Sequence, residues 1–262
     1  MIRKVLFLGA VGMLLLGASA AYAFPPIDLT VANATVTGAD GVIWTSVLDN
    51  PTGTGVIDPF LRFQKNGVEE GMNTDGNAAA TYDDKASIYT HSVQMGSLAT
   101  VVVGGQSYYE FFCDINEVNS PPENLLSLDQ LKIYTLAQAG GGSLTSVAAV
   151  TGAGGVLRYN MDATVDQTVY MDYNLNAGSG QGDIKVLIPT SYFAGVQATD
   201  YMYFYNMMGA TTNMGAGMDG SDGFEEWRAL EGPQNQQLPE PSTVMILGTG
   251  LLGLAATRIR RK

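Results

Sequence analysis

Between residues 24 and 238, no stretch keeps apolar side chains at the i, i+3, i+4, i+7 spacing for more than about two turns. The span is instead filled with short runs in which apolar and polar residues alternate, bounded by Gly, Asn, Asp and Pro. A period of two places successive side chains on opposite faces of an extended chain, so the pattern marks strands with one buried face. It predicts strands over 29–37, 41–48, 59–64, 87–95, 98–103, 107–114, 130–137, 155–160, 168–174, 183–189 and 201–207. Gly104-Gly105 offers the positive φ angles of a tight two-residue turn, which predicts that 98–103 and 107–114 pair as an antiparallel hairpin. One short helix is expected over 224–230, with Asp222 as its cap and Glu225 and Glu226 at its positive end. The segments 66–84, 116–127 and 206–223 read as long polar loops, and no fixed-period repeat suggests a solenoid or propeller. Many short strands with long connections close a core most simply as an all-β, two-sheet sandwich in the jelly-roll manner, here as one domain over 24–232.

The two ends have a different character. Arg3 and Lys4 precede an apolar stretch over 5–16 and two small-x-small sites, which reads as a signal helix over 1–23 cut between Ala23, the second small residue after Ala21, and Phe24. At the other end a polar linker, 233–238, leads to Pro239, Glu240, Pro241 and Ser242, then to an uncharged run over 243–257 and a basic cluster ending in Arg260, Arg261 and Lys262. As a helix rising about 1.5 Å per residue the run is roughly 22 Å long, against about 30 Å of hydrocarbon in a bilayer. It reads as a single short transmembrane helix, with the basic cluster held on the cytoplasmic side.

This order of tripeptide, short span and basic end over 239–262 resembles the PEP-CTERM sorting signal, whose substrates are handled by membrane enzymes called exosortases. The resemblance implies an exported protein of a Gram-negative cell surface or exopolysaccharide matrix, transiently anchored in the inner membrane, with exosortase and signal peptidase as partners during export. Several body segments also resemble an exported β-sandwich domain attached to such tails: 53–62, 111–117, 126–134, 176–183 and 221–227. That likeness departs from its pattern at Cys113, where an aliphatic residue is expected, and it brings no catalytic residues with it.

Charge narrows the partners of the body. Six of the thirteen basic residues lie in the two ends, leaving seven against twenty-four acids between residues 24 and 238. A surface so acidic repels nucleic acid and attracts cations or basic partners. Cys113 is the single cysteine, so no intramolecular disulfide can form; alternation puts it on the face of Phe111 and Ile115, as a small buried hydrophobe. His91 is the single histidine and sits in a plain strand pattern, which gives Cys-His catalysis no support and leaves structural zinc short of ligands.

Three acidic pairs, Glu69-Glu70, Asp83-Asp84 and Glu225-Glu226, are expected to belong to a solvated surface. Two carboxylates in one aromatic-lined cleft would instead point to a carbohydrate-active enzyme, with Trp44 and Trp227 as sugar platforms. Calcium is the best-supported cofactor, since hard cations take about six to eight oxygen ligands. Asp114, Asn116 and Glu117 place two acids and an amide where a strand ends, and 219–226 forms a second candidate. In 201–207, Tyr201, Tyr203 and Tyr205 share one face and Met202 and Phe204 the other, as in a central strand with the Met/Phe face buried. Taken together, the expectation is a non-catalytic structural or adhesive surface component that binds polysaccharide, calcium or other surface proteins.

Overall fold

The computed structural model describes residues 25–48, 58–76, 81–85, 88–139, 142–177, 182–211, 218–221 and 223–232. The expected signal helix, the linker, the sorting tripeptide and the short apolar span lie outside the described residues. Among the described residues no helix is long and apolar enough to cross a membrane.

The chain begins with β1 (Ile27–Asp28), β2 (Thr35–Thr37) and β3 (Ile43–Thr45), followed by β4 (Leu61–Phe63), β5 (Asn66–Gly67) and β6 (Glu69–Met72). Next come β7 (Val93–Gln94), β8 (Thr100–Val103), β9 (Gln106–Asp114) and the long β10 (Leu125–Leu136). Helix α1 (Val147–Gly152) precedes β11 (Val156–Asn160), β12 (Val169–Asp172) and β13 (Ile184–Pro189). The last strands are β14 (Tyr201–Met208), β15 (Gly220–Ser221) and β16 (Glu225–Ala229).

Two main sheets result. One runs β1-β12-β10-β14-β6, with β11 also on β10 and β7 on β14; the other runs β2-β3-β13-β9-β16-β4, with β8 also on β9. A two-stranded ribbon of β15 and β5 lies apart from both. The sheets pack as a sandwich. Leu126, Leu128, Ile133, Met202 and Phe204 of the first meet Trp44, Phe63, Phe111, Cys113, Val186 and Trp227 of the second in one buried core. Phe204 is its hub, with ring centroids 5.3 Å from Phe60, 5.4 Å from Phe111 and 4.8 Å from Trp227. Cys113 is buried in this core with Phe111 and Ile115, as the alternation predicts. The expected hairpin is present: β8 and β9 pair antiparallel from Val103 opposite Gln106, across Gly104 and Gly105 at positive φ.

The tyrosine face of β14 is covered as well. Tyr203 and Tyr205 join Met72, Tyr134, Leu144 and Val150 in a second cluster beneath α1, whose first turn Ser146 caps through its hydroxyl. Tyr203 donates to the Gln138 carbonyl at 2.5 Å and Tyr205 to Glu70 at 2.7 Å, so both hydroxyls find acceptors at the margin.

Four sequence expectations need correction. The span 224–230 holds no helix: Glu225 and Trp227 point inward while Glu226 and Arg228 are half-buried, a period of two that makes β16 a strand between β4 and β9. Residues 29–37 are not one strand, because a turn with Asn33 at φ 62° sends β1 and β2 into different sheets. Strand 87–95 shrinks to β7, and the loop assigned to 66–84 holds β5 and β6. The pattern of β6 was hidden because two acids and a glycine fill it, yet pairing with β14 buries three of its four residues.

Candidate functional site

The acidic pairs are not uniformly solvated. In each pair one acid is buried and the other half-buried: Glu69 beside Glu70, Asp84 beside Asp83, Glu225 beside Glu226. The alternation that builds strands also drives one carboxylate of a neighbouring pair inward. Asp84 is held there by the Met72 amide, which donates to its Oδ1 at 2.9 Å, and burial pushes its carboxyl up to about 7.

Two of these inward acids meet a third. Glu69 on β6, Glu117 just after β9 and Glu225 at the start of β16 each offer one oxygen, all within 4.8 Å of one another. They are 0 %, 6 % and 1 % exposed. Backbone contacts assemble the group from three segments. The Lys65 amide donates to Glu69 Oε2 at 3.0 Å, and the Ser221 amide to Glu117 Oε2 at 2.8 Å. The Val118 amide donates to Ser221 Oγ at 3.0 Å, and the Asn116 side-chain amide to the Phe224 carbonyl at 2.7 Å. Gly223 makes this crossing possible, because a Cβ there would lie 1.4 Å from the Asn116 carbonyl oxygen.

The inner oxygens remain unpaired. Glu69 Oε1, Glu117 Oε1 and both oxygens of Glu225 are buried without a well-formed hydrogen bond. The Glu69 carboxyl and the Asn116 backbone amide lie near enough to Glu225 for weak hydrogen bonding, the first raising its carboxyl and the second lowering it, but neither contact has good hydrogen-bond geometry. Among the described residues the ion pairs go elsewhere: Arg62 to Glu226 at 3.7 Å, Lys65 to Asp83 at 3.4 Å and Lys185 to Glu110 at 3.6 Å. Burial, reinforced by the neighbouring carboxylates, holds the Glu69, Glu117 and Glu225 carboxyls above their ordinary range.

Of the three residues expected to bind calcium, the structure brings only Glu117 to this group. Asp114 is buried at the end of β9 opposite Glu226, and the Asn116 amide is engaged by Phe224. From the second candidate segment Glu225 reaches the group, while Asp219 is exposed and Asp222 lies outside the described residues. Glu69 does not stand out in the sequence, since only its register with β14 turns it inward. Trp44 and Trp227 are 1 % and 0 % exposed, so neither presents a face to a sugar. A cleft of about 240 Å³ beside Pro25, Ile27, Trp44, Tyr159 and Met161 has one carboxylate, Asp40, in its wall. His91 is half-buried with Nδ1 3.0 Å from the Ser92 carbonyl, away from the strand environment expected for it.

The functional motif with a known counterpart lies at the C-terminus. Residues 237–262 match the PEP-CTERM protein-sorting motif. This chain carries that sorting motif. A PEP-CTERM motif indicates an exported protein sorted to the cell surface and processed by an exosortase. No curated protein and no solved structure matches the chain.

Proposed function

We propose that this PEP-CTERM protein is a non-catalytic structural or adhesive component of a Gram-negative cell surface or extracellular matrix. The carrying observation is the sorting motif over 237–262. In this reading a signal peptide over 1–23 is cut after Ala23 and residues 24–232 form one jelly-roll-like body. Residues 233–238 present Pro239, Glu240, Pro241 and Ser242 to the exosortase, and 243–257 hold the chain briefly in the inner membrane.

Two features of the body favour adhesion over catalysis. The converging glutamates are sealed from any polymer, and both tryptophans serve packing. By contrast β8 and β11 pair on one side only among the described residues, and they keep Val102, Val103, Val156 and Leu157 exposed. Apolar strand edges of this kind offer main-chain and side-chain contacts to another surface protein or to a polymer.

The test is fractionation with mass spectrometry of the C-terminus, comparing wild type with Glu240→Ala. The wild-type chain should reach the surface without its basic tail, and the variant should accumulate in the membrane with the tail intact. An intact tail on surface-located protein from both strains contradicts the reading.

A further inference from the structure

We propose that Glu69, Glu117 and Glu225 bind one calcium ion, which ties residues 65–69, 116–118, 220–221 and 223–225 into a single lock at the margin of the sandwich.

The decisive observation is Glu225. It is 1 % exposed, its two oxygens are buried without a well-formed hydrogen bond, and its carboxylate faces those of Glu69 and Glu117 within 4.8 Å. Burying one unpaired carboxylate is costly, and burying three side by side is more so. A divalent cation removes that cost, because it leaves a net charge of one across the group and satisfies the unpaired oxygens.

The surroundings suit a hard cation. A Cβ on Gly220 would meet the Lys65 carbonyl at 2.8 Å, Glu69 Oε1 at 3.0 Å and the Gly67 carbonyl at 3.2 Å. Glycine therefore lets the backbone at residue 220 pack closely against a carboxylate and two backbone carbonyls, which gathers oxygen atoms beside Glu69. The group contains oxygen donors only, with no histidine or cysteine, which disfavours zinc and copper. Several buried carboxylates with backbone carbonyls beside one of them match the irregular oxygen cages of calcium better than magnesium, which holds on to its waters. The outer oxygens of Glu69 and Glu117 already accept the Lys65 and Ser221 amides, so those two ligands are oriented before any ion arrives.

The site is independent of the sorting reading and is tested on the full chain in detergent, stripped with a chelator and then titrated with calcium chloride or magnesium chloride. With a Kd near the 10⁻⁴ M common in extracellular modules, about 5 mM calcium should raise the melting temperature by roughly 5 °C, and magnesium by less. Glu225→Gln and Glu117→Gln should each abolish the rise, while Glu225→Gln should melt no lower than the stripped wild type. No rise in the wild type or an equal rise in either variant overturns the proposal.

Discussion

The centre of the sandwich and its acidic margin are buried to the same degree but are held by different physics. Around the Phe204 ring the packing of Phe60, Phe111 and Trp227 removes apolar surface from water, while the buried Asn73 side chain accepts from the Phe204 amide at 2.6 Å. Around Glu225, two residues from Trp227 on β16, a carboxylate is placed beside two others, and its oxygens are buried without a well-formed hydrogen bond. The contrast within β16 teaches that alternation dictates which side chains point inward without regard to whether they are content there. An apolar side chain turned inward stabilises the body directly. An acidic one does so only through a proton or a cation.

Four measurements sharpen or break that contrast. The largest effect belongs to the apolar centre: Trp227→Ala should cost about 3–5 kcal/mol, read as a lower denaturant midpoint, because it removes a fully buried ring from the Phe204 hub. A loss below about 1 kcal/mol would mean that the hub is not packed as described. At the acidic margin, Glu225→Gln should be neutral or stabilising without calcium and should forfeit about 2 kcal/mol of calcium-dependent stability with it. A strongly destabilised variant in chelator would show that Glu225 is already satisfied by the protein.

The third effect concerns Asp84, whose carboxyl burial pushes up to about 7. Between its ordinary unfolded value near 4 and that folded value, the native chain holds a proton that the unfolded chain has released. This group's contribution is therefore fully present below about pH 4 and is lost as pH rises towards 7, with a slope of about 1 kcal/mol per pH unit. Asp84→Asn keeps an acceptor for the Met72 amide and should flatten stability across that window; an unchanged slope would place the titration elsewhere. The smallest effect is at the surface. Lys65→Ala removes an exposed ion pair to Asp83 and should change stability by less than about 0.5 kcal/mol.

Much of the architecture was legible in the residues, for reasons that also explain the failures. Alternation in β9, β13 and β14 is carried by aromatic and branched side chains, and Gly104-Gly105 marks the hairpin, so these elements follow from local pattern alone. β6 and β16 were missed or misassigned because acids occupy positions that burial normally gives to apolar residues. Glu117 stood out in the sequence from its place after a strand end. Glu69 did not, because its partners are far away in sequence and only pairing with β14 turns it inward. Glu225 lay in a segment already considered for calcium, but its direction depends on forming a strand rather than a helix. The sorting tail needed no fold at all, since its order of tripeptide, short span and basic end is written in consecutive residues.

The most direct test of the acidic margin is diffraction from crystals grown with calcium, with anomalous data collected to locate the ion. The account predicts one anomalous peak at about 2.3–2.6 Å from carboxylate oxygens of Glu69, Glu117 and Glu225. Density showing the three carboxyls bonded only to one another, with no peak between them at saturating calcium, would contradict it.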